Sequence, residues 1–222
     1  MKKIPRIIQR YHPQFMWRVP THDRVLYLTF DDGPQEGITE WVLDTLAAFD
    51  AKATFFLLGK QVKAYPTIVH HMIDSGHSIG NHGYAHIDGW KAPLRTYLLD
   101  FLRAKQTIFE YTGVQTSLFR PAYAHITQTK AQYILRSHQI IMMDVMSGDF
   151  DSSLSGEAVA QGVIQLARSG SILLFHDNLK SQDRLRVALP RVLRHFQEKG
   201  YEFRAIMDQT FGSPPPVRVR NR

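Results

Sequence analysis

Short runs of apolar residues, rich in β-branched and aromatic side chains, recur along the chain and alternate with longer amphipathic stretches. Runs of this length and composition are typical of buried β-strands. The pattern predicts seven strands, at residues 25–30, 53–59, 78–82, 117–122, 140–145, 171–176 and 202–207.

The stretches between these runs carry apolar residues three or four positions apart, which is the spacing of one helix face. In the first stretch, Ile38, Trp41, Val42, Leu46 and Phe49 follow this spacing. The spacing predicts helices over 38–49, 62–73 and 94–109, and weaker helices over about 126–137, 156–168 and 183–198.

Strands that alternate with helices are typical of parallel β/α units, so the chain is predicted to have an α/β fold. Seven strands with six helices fit either a barrel or an open doubly wound sheet, and the pattern leaves the strand order open. The 222 residues, 44% of them hydrophobic, suit one core rather than two. We expect a single domain over 23–211, an N-terminal extension over 1–22 and a Pro-rich basic tail over 212–222.

Composition narrows the possible partners and chemistry. The chain contains no cysteine, which excludes disulfides and limits metal ligands to His, Asp and Glu. The formal net charge of +7 favours anionic surroundings, but no basic helix is interleaved with aromatic residues, so we expect no nucleic-acid partner. No stretch reaches the roughly 18 apolar residues of a membrane span. Polar residues interrupt the first 17 positions, unlike a signal peptide, so the expected compartment is the cytoplasm, with export by another route as the alternative. The oligomeric state stays open.

Polar side chains gather where the predicted strands end. In parallel β/α folds the carboxyl ends of the strands meet at one rim, which is where ligands bind. We therefore expect these side chains to converge. They are Asp31 and Asp32, His82 and His86, Arg120 and Tyr123, Asp144 and Asp149, and His176 with Asp177.

The adjacent carboxylates Asp31 and Asp32 stand in TFDDGP, where the first strand leaves the core. Burying two unpaired negative charges together is costly, so a site that keeps both needs a cation nearby or a special task. In NHGYAH, His82 and His86 lie four residues apart, so both imidazoles can face one point, and a carboxylate would complete a His-His-Asp metal set. A histidine pair alone is more often structural, but together with two carboxylates it predicts a divalent metal site. The other histidines expected to be structural are His70, His71, His77, His125, His138 and His195.

Two further charged residues suit catalytic work. His176 ends the run LLFH, and an ordinary imidazole pKa of about 6.5 suits a general acid near neutral pH. Asp149 would hold that imidazole protonated; the alternative for His176 is a hydrogen-bonded core imidazole. Arg120, in FRPAY, is expected to pair inward, and a guanidinium beside Asp31 would keep that aspartate ionised and oriented.

Five blocks, in order, resemble the polysaccharide deacetylase family, carbohydrate esterase family 4: TFDDGP, NHGYAH, FRPAY, DVMSGDF and LLFH. The likeness runs from about Leu26 to about Asp208, nearly all of the globular part. It implies a distorted, TIM-like (β/α)7 barrel in a single domain. It also implies a divalent metal ion, usually zinc, with cobalt or another divalent ion as the option. The implied reaction is hydrolysis of N-acetyl groups on amino sugars, with O-acetyl esters as substrates of some members.

The resemblance assigns the metal centre and the base by position. Asp32, His82 and His86 would bind the metal ion, which lowers the pKa of a water molecule toward about 7. Asp31 would be the general base that removes the proton as water attacks the acetyl carbonyl. Arg120 would orient Asp31.

The resemblance likewise assigns the rest of the site. The backbone N–H of Tyr123 would stabilise the oxyanion, and His176 would protonate the leaving amine. Asp149 would tune the imidazole of His176. Leu174 would line the acetyl pocket, and Phe150 would contribute to its rim.

Several positions depart from the family pattern, but none removes a metal ligand, the base or the acid. Gly83 stands where a Ser or Thr hydroxyl commonly braces the loop. These departures reshape the acetyl pocket, so they bear on the substrate more than on the reaction. The other departures from the family pattern are Ala122 and Ala124, which stand in place of Pro and Gly, Met143 and Phe150, which stand in place of Trp, and Met146, which stands in place of an acidic residue.

The leading hypothesis is a metal-dependent deacetylase that acts on an acetylated carbohydrate, such as peptidoglycan or a chitin-like chain. One alternative keeps the site but changes the bond, as in an O-acetyl esterase or a hydrolase of small cyclic amides. Another is a non-catalytic glycan-binding barrel.

Overall fold

The computed structural model describes residues 2–207, and the tail predicted over 212–222 lies outside them. Within that range nine strands belong to one sheet. The strands are β1 (Lys2–Lys3), β2 (Val25–Asp31), β3 (Ala53–Leu57), β4 (Ser78–Asn81), β5 (Leu118–Phe119), β6 (Gln139–Ile140), β7 (Val145–Met146), β8 (Ile172–His176) and β9 (Glu202–Phe203).

Helices fill the connections between strands, as the spacing predicts. One predicted helix, over 62–73, is two helices, because Pro66 has no N–H to donate and begins a new helix at its first position. The helices are α1 (Arg6–Tyr11), α2 (Ile38–Ala48), α3 (Gly59–Ala64), α4 (Pro66–Asp74), α5 (Leu94–Thr112), α6 (Gln128–Ile134), α7 (Gly156–Leu166) and α8 (Gln182–Glu198), with a 3-10 turn at Ala122–Ala124.

The sheet has the strand order β1-β7-β8-β2-β3-β4-β5-β6, and β9 pairs with the first residues of β2. All of these pairings are parallel except that of β1 with β7. In the central pairing, Asp31 at the end of β2 lies in register with His176 at the end of β8. The predicted base and the predicted acid therefore end two neighbouring strands.

The strand predicted over 140–145 is interrupted, and its two parts pair with strands on opposite sides of the sheet. Its first part, β6, pairs with β5, and its second part, β7, pairs with β8. Between them, the N–H of Ile141 donates to Phe119 and the N–H of Asp144 donates to Ile172. One short segment thus pairs with β5 near one end of the sheet and with β8 near the other, so the sheet is curled. A curled parallel sheet confirms the predicted distorted barrel over the open sheet.

The N-terminal residues are more than a peripheral extension. Besides the pairing of β1, Phe15 and Val19 are buried, and Nε of Arg18 lies 3.2 Å from a carboxylate oxygen of the fully buried Asp144. Asp144 also accepts hydrogen bonds from Ser171 and the N–H of Ile172, where β8 begins. The expectation that Asp144 joins the other polar groups at the carboxyl rim is wrong, because its partners lie at the amino end of that strand.

The side chains of β2 point alternately to the two faces of the sheet, and this places polar residues next to an apolar core. Phe30 faces the helices, where its ring packs on Phe55 and Phe175 at 5.1 and 6.1 Å. Because successive side chains point to opposite faces, Thr29 and Asp31 face the barrel interior. Asp31 is the last residue of the strand, so its carboxylate emerges at the rim.

In the part of the chain described, no helix combines the length and apolarity needed to cross a bilayer.

Candidate active site

A cavity of about 440 Å³ opens at the carboxyl ends of the strands. Most of the residues predicted to form the site line this cavity, and Arg120 and Asp149 lie fully buried behind them. The predicted residues that line it are Asp31, Asp32, His82, His86, Tyr123, Phe150, Leu174 and His176.

Asp32, His82 and His86 form a group that can hold a metal ion, called the metal group below. One potential ligand atom from each residue lies within 4.8 Å of the others. Oδ1 of Asp32 lies 3.2 Å from Nε2 of His86 and 3.6 Å from Nε2 of His82. That oxygen is buried and accepts no hydrogen bond from the described residues. A buried carboxylate oxygen without a donor is costly, and a divalent cation between the three atoms removes the cost. The residues present therefore fit a metal ion.

The backbone is strained at two of these positions. Asp32 has φ of 79° and His86 has φ of 60°, both in the left-handed region that non-glycine residues rarely adopt. Strained residues of this kind cluster where geometry is needed for function. The strain aims both side chains at one point.

Hydrogen bonding and burial set both imidazoles in the form that a metal needs. Nδ1 of His82 lies 2.8 Å from the carbonyl oxygen of Arg120. A carbonyl can only accept, so Nδ1 carries the proton and the lone pair of Nε2 faces Asp32. Burial and the neighbouring His82 lower the pKa of His86 to about 4, so His86 is neutral at neutral pH.

Asp32 is held ionised and oriented from its other side. Burial opposes ionisation of Asp32, but the surrounding histidines and a hydrogen bond from Asn178 keep the pKa of its carboxyl below the ordinary value. Nδ2 of Asn178 donates to Oδ2 of Asp32 at 2.8 Å, which turns Oδ1 toward the imidazoles. Sequence reasoning missed Asn178, although it follows FHD directly and lies two residues after His176.

The loop between the two histidines is braced by a residue that no motif marks. Asp100, on α5, accepts hydrogen bonds from the N–H groups of Tyr84 and Ala85 at 2.8 and 2.9 Å. Gly83 has φ of 81°, and a Cβ there would lie 2.7 Å from Oδ2 of Asp100. A carboxylate on a neighbouring helix therefore braces this loop where the family pattern has a Ser or Thr hydroxyl.

Arg120 fixes Asp31 as predicted. Its Nη1 donates to Oδ1 of Asp31 at 2.7 Å, and the arginine is fully buried. The remaining donors reach Thr29 and the carbonyls of Ile141 and Met142, so the guanidinium cannot rotate away. Oδ2 of Asp31 is left 3.7 Å from Nε2 of His82, on the side of the metal group.

His176 is paired with Asp149 through two hydrogen bonds. Nδ1 of His176 lies 2.8 Å from Oδ1 of Asp149, and the backbone N–H of His176 donates to Oδ2 at 2.7 Å. Burial pulls the pKa of His176 down, but the pairing with Asp149 and the charges of Asp31 and Asp32 outweigh burial and raise the pKa to about 9. His176 is therefore an imidazolium at neutral pH, with its Nε2 proton outside the pair.

The turn that carries Tyr123 keeps a left-handed backbone despite its altered sequence. Tyr123 and Ala124 have φ of 59° and 57°. The family pattern has glycine at position 124, and here alanine adopts the same unusual region. The ring of Tyr123 packs edge-on against His86, with centroids 4.3 Å apart. The turn thus lies directly beside the metal group.

Apolar side chains form one wall of the cavity. Leu174 and Met143 are buried among the lining residues, and Met146 packs in the same cluster. Phe150 is half-exposed at the rim, and its ring packs edge-on against His176 at 5.5 Å. The wall suits a small apolar group such as a methyl.

Two further residues of the cavity carry no sequence signal that we used. Lys180 lines it, four residues after His176. His125 also lines it, but it stays outside the Asp32-His82-His86 group, as expected of a histidine that is not a ligand. Both residues lie shortly after predicted site residues in the chain, and this position in the same loops is the signal that could have indicated them.

Comparison with known proteins gives a consistent assignment. The sequence profile described as polysaccharide deacetylase matches residues 18–140. A peptidoglycan-N-acetylglucosamine deacetylase of Bacillus cereus is 31% identical over 189 residues, which cover 84% of this chain and 88% of that protein. The peptidoglycan-N-acetylglucosamine deacetylase PgdA of Listeria monocytogenes is 32% identical over 195 residues, and the match spans 88% of this chain but only 40% of PgdA.

A solved structure agrees with the sequence matches. The Bc1960 peptidoglycan N-acetylglucosamine deacetylase, crystallised with 4-naphthalen-1-yl-N-oxidanyl-benzamide, superposes with a TM-score of 0.84 at 26% identity, covering 91% of this chain and 95% of that one. The predicted fold and family are confirmed, and with them the predicted hydrolytic deacetylase function. By profile, by sequence and by fold, this chain belongs to the polysaccharide deacetylase family.

Proposed function

We propose that this chain hydrolyses the N-acetyl groups of amino-sugar residues in peptidoglycan or a closely related glycan. The observation that carries the proposal is the convergence on one cavity of an arginine-bound carboxylate, an Asp-His-His group and an imidazolium. The relatives named as peptidoglycan deacetylases support the choice of substrate.

The proposed cofactor is zinc, held by Asp32, His82 and His86. Two imidazole nitrogens and one carboxylate oxygen form a ligand set that zinc accepts, with positions left open for water and substrate. A cation bound there supplies Lewis-acid chemistry, since it acidifies water and polarises a carbonyl.

Asp31 is the proposed general base. Its Oδ1 is occupied by Arg120, so Oδ2, on the side of the metal group, is the atom available to take a proton from water. The buried arginine balances the charge of the carboxylate and prevents its rotation. Asp31 and Asp32 therefore have separate tasks, although they are adjacent in the chain.

His176 is the proposed general acid. An amide nitrogen leaves poorly unless it is protonated as the C–N bond breaks, and the imidazolium of His176 can donate that proton from Nε2. Asp149 accepts at Nδ1, so it fixes the ring and keeps the second nitrogen protonated until the amine departs. The register of Asp31 with His176 places base and acid on adjacent strand ends.

The remaining cavity residues are proposed to position the acetyl group. The left-handed turn at Tyr123 lies beside His86, and the backbone N–H of Tyr123 would stabilise the negative charge that develops on the carbonyl oxygen. Leu174 and Phe150 belong to the apolar wall that would receive the acetyl methyl.

The test is a substrate panel with two readouts. The purified protein, loaded with zinc or cobalt, is given N-acetylglucosamine oligomers, peptidoglycan fragments and acetylated xylan, and both acetate and free amine are measured. We expect equal amounts of acetate and amine from the amino-sugar substrates. Acetate without amine from xylan alone would identify an O-acetyl esterase instead.

The matched control is Asp31→Asn, which removes the proposed base but keeps the size of the side chain. We expect this variant to bind zinc and to lose turnover. Wild-type protein that releases no acetate from any substrate at any metal loading would overturn the proposal, and an Asp31→Asn variant as active as wild type would overturn the assigned base.

A further inference from the structure

A row of aromatic rings leads outward from the metal group to the protein surface. The ring of His86 packs against Tyr123, Tyr123 lies beside His125, and His125 stacks on Trp90. The successive centroid distances are 4.3, 5.9 and 3.6 Å. His125 and Tyr123 line the cavity, so Trp90 continues the wall of the cavity onto the surface.

Trp90 is unusually accessible for its size. One face of the indole lies flat on His125, with an interplanar angle of 9°, yet the side chain is 61% exposed. The other face is therefore open to solvent. An indole with one face backed by a ring and the other face open can pack against the apolar face of a ligand.

The loop that carries Trp90 is fixed from several sides. Oδ1 of Asp88 accepts from the N–H of Trp90 at 2.8 Å and lies 3.1 Å from Nδ1 of His125, so one carboxylate holds both members of the stack. The buried ammonium of Lys130 donates to the carbonyls of Gly89 and Ala92 at 2.5 and 2.6 Å. These contacts hold the loop of Trp90 against His125 and against Lys130 on α6.

Gly89 is required for this arrangement. It forms an isolated bridge with Ile126, and a Cβ at position 89 would lie 2.0 Å from the carbonyl oxygen of His125. Only glycine lets the two backbones approach so closely. The approach brings the indole of Trp90 over the ring of His125.

We propose that Trp90, backed by His125, is a stacking subsite for a sugar ring of the glycan substrate, outside the unit that is deacetylated. The C–H face of a pyranose is apolar and slightly positive, and it complements the negative face of an indole. His125, which backs the indole, lines the catalytic cavity, so the occupant is a further unit of the same glycan chain. The inference rests on the proposed function, since it assumes a glycan substrate.

The test compares ligands of two lengths in protein that cannot turn over. Zinc-loaded Asp31→Asn protein is titrated by calorimetry with N-acetylglucosamine and with its β-1,4-linked tetrasaccharide, with and without Trp90→Ala. We expect the dissociation constant of the tetrasaccharide to rise roughly threefold to tenfold in Trp90→Ala, with no change for the monosaccharide. Trp90→Phe, which keeps a ring, should retain most of the affinity.

The control is Phe109→Ala, which removes a half-exposed ring near the end of α5 and should change neither affinity. Equal tetrasaccharide affinity with and without Trp90, or an equal loss for both ligands, would overturn the inference. Wild-type protein that deacetylates glycans while Trp90→Ala binds normally would overturn the inference alone. Wild-type protein that neither binds nor deacetylates any glycan would overturn the inference and the proposed function together.

Discussion

The backbone carbonyl of Arg120 lies 2.8 Å from Nδ1 of His82, while the side chain of the same arginine donates to Asp31 at 2.7 Å. One residue therefore sets the tautomer of a proposed metal ligand and the orientation of the proposed base. It can do both because Arg120 directly follows β5, whose last residue pairs with β4 next to His82. The strand pairing of the barrel thus determines the geometry of the site.

Loss of the Arg120 side chain should be costly, and the cost should depend on Asp31. In Arg120→Met, the carboxylate of Asp31 stays buried without its partner, so we expect the free energy of unfolding to fall by about 3–5 kcal/mol. Adding Asp31→Asn removes the uncompensated charge. The double variant should therefore be more stable than Arg120→Met alone, as measured by urea denaturation of the metal-free protein.

The comparison separates charge from packing. If the double variant is no more stable than Arg120→Met, the destabilisation comes from lost packing and from the hydrogen bonds to Thr29, Ile141 and Met142. That result would contradict the pairing of Arg120 with Asp31 as the main role of the arginine.

Asp149 should control the alkaline limit of activity. The pKa of His176 is raised to about 9, so wild-type kcat should hold to that pH and fall above it as the imidazolium is lost. In Asp149→Asn, burial lowers the pKa of His176 without opposition from the ion pair. We expect the alkaline limb of kcat to move down by at least about one pH unit.

The matched control for this profile is Asp151→Asn, which makes the same change at an exposed carboxylate two residues away and should leave the limb in place. The stability of the folded protein should also depend on the protonation of His176. Its pKa is higher in the folded protein than in the unfolded chain, so the stabilising ion pair is complete below about pH 6.5 and is lost as the pH rises to about 9. An alkaline limb that is identical in wild type and Asp149→Asn would contradict the control of His176 by Asp149.

The motifs of the candidate site could be predicted from the sequence because they follow strands directly. In a parallel barrel, the residue after each strand reaches the common rim, so TFDDGP, FRPAY and LLFH converge whatever the strand order. The residues missed, Asp100, Asn178 and Lys130, act on backbone groups or on neighbouring side chains from other elements. Such contacts depend on tertiary placement, and no local spacing encodes them.

The interruption of the strand over 140–145 could not be predicted from the hydrophobic pattern either. Residues 140–145 read as one continuous apolar run, and their composition is that of a strand throughout. In the fold, Met16 takes two of the hydrogen bonds in this region, accepting from the N–H of Met142 and donating to the carbonyl of Ile140. A partner from the N-terminal segment thus divides the run, and that partner is more than a hundred residues away in the chain.

Asn178 should tune metal affinity without being a ligand. Its amide donates to Oδ2 of Asp32 and so directs Oδ1 toward the histidines. In Asn178→Ala we expect the dissociation constant for zinc to rise roughly 10- to 100-fold, the usual effect of removing a group that orients a ligand. Competition with a chromophoric chelator measures it. Leu179→Ala, at the exposed neighbouring position, should bind zinc as wild type does. Unchanged affinity in Asn178→Ala would show that Asp32 needs no such support.

Restoring the family residue at Gly83 should harm this protein rather than improve it. The backbone there has φ of 81°, and a Cβ would lie 2.7 Å from the carboxylate of Asp100 that braces the histidine loop. In Gly83→Ser we expect a loss of at least about 1–2 kcal/mol in the free energy of unfolding from the left-handed backbone alone. Displacement of Asp100 adds to that loss and should also weaken zinc binding.

The matched control is Gly113→Ser, at a glycine with a similar φ of 72° and no atom within 4 Å of the added Cβ. It carries the backbone cost without the collision, so the difference between the two variants isolates the contact with Asp100. Thermal denaturation and zinc titration of both variants make the comparison. If Gly83→Ser is no less stable than Gly113→Ser and binds zinc equally well, a serine hydroxyl and Asp100 can brace the loop together. That result would contradict the claim that Asp100 replaces the hydroxyl of the family pattern.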